Sequence, residues 1–337
     1  MIQEVGFELE DDVGRPVKVT GWRFTGAGDA PSAYLQAGVH ADEIPGMLVL
    51  HKLMARLHEA EASGLLRGTV TIVPQANPFG IGQFRQGRIL GRFHDATGRN
   101  FNRGFLESIA AQTPRTNLEI WQKKLVALAA DADIILDLHT DDEALPYIYF
   151  HKALWPAARD LSAALGSSVA ILWDDMGDGA FEEAAVLPWL EENNFEGRIA
   201  TTIELRGQAD VDDRLAQQDV DGLYDFLCAR GVIAQDVTLP DWKGIATPTA
   251  HMETLFAPAA GVLIFERALG EIIEEGAIIA RIFPLPGRPE SEHLVRAPQT
   301  GLFLTRYRDR LVPQGAIVAK LAANGPSTTW TGGVLDP

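Results

Sequence analysis

"AYLQAGVHADEIPGMLVLHKLMARLHEAEASGLLRGTVTIVPQANP", residues 33–78, reads as strand, helix, strand. Residues 33–39 are a short apolar run of the kind that forms a buried strand. Residues 47–64 repeat apolar side chains at helical spacing as far as Gly64, and residues 69–78 are a second β-branched run stopped by Asn77-Pro78. The alternation continues along the chain. Residues 117–132 predict a helix, DIILDLHT at 133–140 a strand, YIYFH at 147–151 a strand, and 157–165 a helix. VAILWD at 169–174, a helix over 181–193, ATTIELRG at 200–207 and a helix over 211–231 follow. Strands that are apolar along their whole length, separated by helices, predict an α/β fold. Its mostly parallel sheet would be covered by helices on both faces.

After about residue 240 the texture changes to short β-like runs rich in Pro and Gly, and a repeat emerges. TLFAPAAGVLIFE (254–266) matches HLVRAPQTGLFLT (293–305), and EEGAIIARI (274–282) matches PQGAIVAKL (313–321). Two related halves predict a small pseudo-symmetric β barrel or sandwich, so the chain divides into residues 1–240 and 241–337. The half-motif resembles the biotinyl/lipoyl type of barrel-sandwich, whose carriers attach their cofactor to a Lys in the hairpin between halves. That joint, FPLPGRPESEHL (283–294), holds no Lys. The module is therefore read as structural or oligomer-forming, and a homo-oligomer is an expectation.

Composition sets the partners. The 337 residues carry a formal charge of −17, which excludes nucleic acid as a natural partner because phosphate binding needs a surplus of Lys and Arg. Cys228 is the single cysteine, so no internal disulfide forms. The start MIQEVGFELEDD lacks a basic-then-apolar export pattern, and no stretch reaches the roughly 20 apolar residues of a membrane span. The expectation is a soluble cytoplasmic protein with no membrane partner.

His40 and Glu43 stand three residues apart where the strand at 33–39 ends. Alone, H-x-x-E is common by chance. Open α/β sheets, however, build their sites at strand C-termini, and His139 in DLHT also ends an apolar strand. Two His and one carboxylate, with a position left for water, is a familiar catalytic zinc set. Asp137, two residues before His139 on the same strand face, is placed to hydrogen-bond a ligand. Glu204 interrupts an apolar β-branched run, and a carboxylate there needs a task or a partner; Arg206 is the nearest candidate partner. The long stretch 79–105 concentrates Arg85, Arg88, Arg92, Arg99 and Arg103 in an acidic chain. Guanidinium groups bind carboxylates and stabilise oxyanions, and Asn100 and Asn102 beside Arg103 add donors.

These motifs together resemble the succinylglutamate desuccinylase/aspartoacylase family, a branch of the zinc carboxypeptidase superfamily. GVHADEIPG (38–46) looks like its G-x-H-G-x-E-x-x-G segment. NP (77–78), GRF (91–93), RNFNRGF (99–105), DLHT (137–140) and TIELRG (202–207) follow in the family's order, and the resemblance covers roughly residues 30 to 230. It implies a zinc-carboxypeptidase-like sheet with one zinc held by His40, Glu43 and His139. It further implies Glu204 as the catalytic carboxylate, Arg92 polarising the scissile carbonyl, and Asn102 and Arg103 holding a substrate carboxylate. The implied substrate is a small N-acyl amino acid of the N-acetyl or N-succinyl type, such as N-acetyl-diaminobutyrate, N-acetylaspartate or N-succinylglutamate. Departures are Ala41 for the usual Gly, Asn100 for Asp, and Arg206 where a small residue is common. Arg206 and Asn100 are thereby added to the expected substrate-binding residues, and Arg198 is the candidate for the family's second substrate arginine. A metallocarboxypeptidase using the same constellation, and a non-catalytic binding protein on the same fold, stay open at this point.

Overall fold

The computed structural model describes residues 2–329. The strands and helices of the first part are β1 (Gln3–Glu10), β2 (Pro16–Thr25), β3 (Ala33–Ala37), α1 (Pro45–Ala62), β4 (Thr69–Val73), α2 (Pro78–Gly82), β5 (Phe84–Arg85), β6 (Arg88–Ile89), α3 (Phe105–Ala110), α4 (Asn117–Ala129), β7 (Ile134–Asp141), β8 (Glu143–Ala144), β9 (Tyr147–His151), α5 (Arg159–Leu165), β10 (Val169–Trp173), α6 (Phe181–Glu192), β11 (Ile199–Gly207), α7 (Asp213–Ala229) and β12 (Ile245–Pro248). Among the described residues, nine strands form one sheet in the order β1-β2-β4-β3-β7-β11-β9-β10-β12. β4, β3, β7 and β11 run parallel to one another, as do β9, β10 and β12, and the antiparallel β11/β9 contact joins the two blocks. Helices α1, α5 and α7 pack together, as do α3, α4 and α6, and both groups contribute to one core. This is the mostly parallel, helix-flanked sheet expected of the sequence.

Helix α1 shows how the pattern works. Pro45 opens it where a missing N–H costs nothing, and Val49, Leu50, Leu53, Leu57 and Ala60 recur on the face turned inward. Gly64, with φ of 69°, takes the left-handed turn that ends it.

Three features depart from the sequence reading. β1 and β2 add an antiparallel edge: β1 alternates between exposed and half-buried positions and carries acidic residues, and β2 mixes exposed with buried positions, so no apolar run marks them. β12 belongs to the large sheet, which thus extends past residue 240. The stretch 79–105 is not featureless, since it holds most of α2, the β5–β6 hairpin and a bridge between Phe93 and Asn100.

The C-terminal strands are β13 (Met252–Phe256), β14 (Gly261–Phe265), β15 (Ile272–Ile273), β16 (Ile278–Phe283), β17 (His293–Arg296), β18 (Gly301–Arg306), β19 (Leu311–Val312) and β20 (Ile317–Ala323). They form two sheets, β13-β20-β18-β15 and β17-β16-β14-β19. The first repeat supplies β13 to β16 and the second β17 to β20. Each sheet therefore holds the first and third strands of one repeat around the fourth and second of the other. The pseudo-symmetric sandwich has its own apolar core around Leu263, Ile279, Ile282, Phe303 and Leu321. It is stitched to the large domain where β8 pairs with β18, with Glu143 bridged by Arg306 and Arg310. Among the described residues, no helix is long and apolar enough to cross a membrane.

Candidate active site

Strands β3, β7 and β11 are consecutive parallel neighbours, so their C-terminal ends lie side by side. Glu204 on β11 stands in register with His139 on β7. β3 is followed by Gly38, whose φ of 75° lets the chain turn sharply into His40 and Glu43. Asn77 fixes that turn: its Nδ2 donates to the Val39 carbonyl at 2.7 Å and its Oδ1 accepts from Gly80 N–H at 2.9 Å. Ala41 N–H donates to the Gly91 carbonyl at 3.0 Å, which ties the turn to the segment carrying Arg92.

His40, Glu43 and His139 are all buried, and one donor atom from each lies within 4.8 Å of the others. Nδ1 of His40 is 2.8 Å from Glu43 Oε1, and Nδ1 of His139 is 2.8 Å from Glu43 Oε2. The opposite nitrogens are held from behind. His40 Nε2 lies 2.7 Å from Asn100 Oδ1, an atom already accepting from Asn102 N–H, and His139 Nε2 lies 2.9 Å from Asp137 Oδ2. Each Nε2 thus donates, and each Nδ1 faces the Glu43 carboxylate, where a cation could take the place of the shared proton. Three lone-pair donors converging in a buried space suit a divalent cation. The charges agree. Burial works to lower the pKa of His139, yet Asp137 and Glu43 hold it well above the usual value. Burial works to raise that of Glu43, yet His40 and His139 hold it well below. The cluster calls for positive charge.

Glu204 is half-buried, and its Oε2 is shut off from solvent without a hydrogen-bond partner among the described residues. Burial, then the charge of Glu43, pushes its pKa up to about 8. Arg92 Nη1 donates to Glu43 Oε1 at 3.1 Å, beside the metal-fitting cluster. Phe101 and Phe105 are fully buried with their ring centroids 5.9 and 5.7 Å from that of Trp121, and this anchoring positions Asn100, Asn102 and Arg103 at the site. Asn102 Oδ1 accepts from Phe181 N–H at the start of α6, and Arg103 donates to the Asn102 carbonyl. His40, Glu43, Arg92, Asn102, Arg103 and Glu204 line one cavity of about 730 Å³.

Other expected residues sit elsewhere. Asn100 acts behind His40 and does not line the cavity. Arg206 is turned away from it, because a bulge between Glu204 and Gly207 breaks strand alternation, and its guanidinium forks onto Asp219 of α7. Glu204 therefore has no ion pair with Arg206. Arg198 bonds Glu192 and the Asn194 carbonyl, outside the cavity lining. The sequence reading also missed members of the cavity wall. Lys320 on β20 is buried and paired with Asp141 at 2.9 Å, and Tyr307, Arg308 and Glu182 join it. Lys320 carried a signal: it interrupts the apolar run IVAKLAA (317–323) just as Glu204 interrupts its own.

Residues 29–230 match the succinylglutamate desuccinylase/aspartoacylase catalytic domain. The N-alpha-acetyl-L-2,4-diaminobutyric acid deacetylase of Halomonas elongata is 25% identical over 303 residues, which are 88% of this chain and 83% of that protein. A crystal structure of a succinylglutamate desuccinylase/aspartoacylase family protein from Shewanella amazonensis superposes with a TM-score of 0.84 at 26% identity, over 96% of this chain and 99% of that one. The product-bound ectoine utilization protein EutE (DoeB) from Ruegeria pomeroyi shares the fold with a TM-score of 0.76 at 22% identity, over 96% and 95% of the two chains. With the match spanning the strands that carry His40, Glu43, His139 and Glu204, the chain belongs to the succinylglutamate desuccinylase/aspartoacylase family.

Proposed function

We propose that the protein is a zinc-dependent amidohydrolase that removes the acyl group from a small N-acyl amino acid. The observation that carries this reading is Glu204, a carboxylate in register with His139 whose Oε2 has no hydrogen-bond partner among the described residues, in the same cavity as Asn102 and Arg103. His40, Glu43 and His139 would hold the zinc, which when bound acidifies water and polarises a carbonyl. The chain does the rest. Glu204, with a pKa raised toward neutrality, takes a proton from the attacking water and returns it to the departing amine. Arg92 supplies positive charge where the carbonyl oxygen becomes negative. Asn102 and Arg103 hold the substrate carboxylate and so fix the amide over Glu204. The domain built on the large sheet, through β12, is the catalytic unit in this reading, and the C-terminal sandwich completes its cavity.

Among acyl amino acids we favour an N-acetyl-diamino acid, because the Halomonas elongata relative is a deacetylase of that type along most of both chains. The test is turnover by the zinc-loaded protein across N-acetyl-diaminobutyrate, N-acetylaspartate, N-succinylglutamate and short peptides. Release of acetate or succinate with peptides left intact is expected. Cleavage of C-terminal residues from peptides alone would make the protein a carboxypeptidase. Inertness of a protein that takes up no zinc would make it a binding protein.

A further inference from the structure

Helix α6 begins at the cavity with two adjacent glutamates in different circumstances. Glu183 is fully employed: Oε1 accepts from Gly177 N–H at 2.6 Å, and Oε2 from Gly179 and Ala180 N–H at 2.7 and 3.0 Å. The next helical donor, Phe181 N–H, goes to Asn102. The helix start is therefore capped without Glu182. Glu182 is 7% exposed and lines the cavity, and among the described residues its Oε2 has no hydrogen-bond partner. A buried polar atom without a partner is costly, and in a binding cavity it marks the place of a ligand group.

A carboxylate only accepts, so the missing group is a donor, and the surrounding charge says which kind. Ten acidic side chains line the same cavity, Asp42, Asp142, Asp175 and Asp178 among them, against five basic ones, Arg92, Arg103, Lys152, Arg308 and Lys320. Asp174 lines it too but has its own partner in Lys152. Burial, then the charges of Glu183 and Asp137, pushes the Glu182 carboxyl well above the usual range, so a cation beside it would relieve the site. Arg103, which the deacylase reading assigns to the substrate carboxylate, is near enough to act on Glu182 electrostatically.

We propose that Glu182 is the specificity-determining residue that receives a side-chain ammonium, so that the substrate is an N-acyl amino acid ending in a free amine. Arg103 and Glu182 then read the two opposite charges of one molecule. N-acyl aspartate or glutamate would instead bring a second carboxylate against Glu182. The inference deepens the deacylase reading and rests on it for the orientation of the substrate.

The test compares two nearly isosteric substrates, Nα-acetyl-L-2,4-diaminobutyrate and N-acetyl-L-norvaline, with wild-type protein, Glu182→Gln and Glu182→Asp. The wild type should favour the charged substrate in kcat/KM, and the ratio between the two should fall on the order of a hundredfold in Glu182→Gln. Glu182→Asp, which keeps the charge, should retain part of the preference. Calorimetry with the free amino acids L-2,4-diaminobutyrate and L-norvaline gives a readout independent of turnover. Tighter binding of the diamino acid, erased by Glu182→Gln in a variant that melts like the wild type, is expected. An unchanged ratio or binding preference in Glu182→Gln overturns the inference, even if deacylation proceeds. A wild type that binds the diamino acid in a Glu182-dependent manner but hydrolyses nothing upholds the inference and overturns the deacylase reading. Absence of both binding and hydrolysis overturns both.

Discussion

Ala41, between His40 and Glu43, is fully buried, and the family resemblance expects Gly in its place. Its methyl fits because Gly80 faces it: a Cβ built on Gly80 would lie 2.8 Å from that of Ala41. Gly91 is tighter still, since its Cβ would fall 2.3 Å from Asp42 N. The departure at 41 is thus absorbed by a neighbouring glycine, and the turn keeps its shape. Asn100 departs differently. It keeps one acceptor on His40 Nε2 but lacks the charge of an Asp. Partners behind metal ligands typically contribute ten- to a hundredfold in affinity. Asn100→Ala should therefore weaken zinc binding by roughly that factor in chelator competition, and Asn100→Asp should not weaken it. Equal zinc affinity in Asn100→Ala would remove the residue from this role. Glu204→Gln isolates the proton-transfer step. It should keep stoichiometric zinc and lose roughly two to four orders of magnitude in kcat. Near wild-type turnover would mean that another group moves the proton.

At the scale of elements, β3, β7 and β11 were legible because buried parallel strands need apolar residues on both faces. The polar residues at their ends, His40, His139 and Glu204, then stood out against that background. β1, β2 and β12 left no such contrast: β1 is a half-exposed edge strand, β2 beside it mixes exposed with buried positions, and β12 is four residues long. The Arg206 expectation failed for a local reason, because a bulge cannot be read from residue types and it reverses where a side chain points. The far wall of the cavity was hidden by distance along the chain. Lys320 meets Asp141 across 179 residues, and nothing near either position announces the other. That ion pair is a strong mechanical link, since both side chains are nearly inaccessible and Asp141 also accepts from the Tyr147 hydroxyl at 2.8 Å. Lys320→Met should leave a buried carboxylate without its cation and destabilise the protein by about 3–5 kcal/mol in urea unfolding. The double variant Lys320→Met/Asp141→Asn should recover part of that loss. A single variant as stable as the wild type would show that the pair holds nothing together.

At the scale of the molecule, the repeat predicted a two-half sandwich, and the structure interleaves the halves so that neither could form its sheets alone. The expected role was structural or oligomer-forming; in addition, β18 joins β8 while Lys320, Tyr307 and Arg308 line the cavity, so the module is part of the pocket wall. Its integrity therefore bears on the site, and one buried carboxylate is central to it. Glu253 on β13 accepts from Gln299 Nε2 at 2.6 Å, the Ser327 hydroxyl at 2.6 Å, and the N–H groups of Thr328 and Thr329 at 2.8 and 3.1 Å. It thereby ties the first strand of one repeat to the β17–β18 turn of the other and to the segment after β20. Burial alone would raise its pKa, but these donors outweigh burial and hold it down at about 2. A carboxyl whose pKa is lower when folded stabilises the protein above its ordinary value of 4.5, and that stabilisation disappears as pH falls toward 2. With allowance for partial solvent screening, the contribution at neutral pH is about 2 kcal/mol. Other carboxylates titrate in the same window, so the informative quantity is the stability difference between wild type and Glu253→Gln. It should be about 2 kcal/mol at pH 6 and shrink steadily from pH 4.5 toward pH 2.5 in denaturant unfolding. A difference that stays constant over that range would mean that the hydrogen bonds stabilise the neutral side chain as well as the carboxylate.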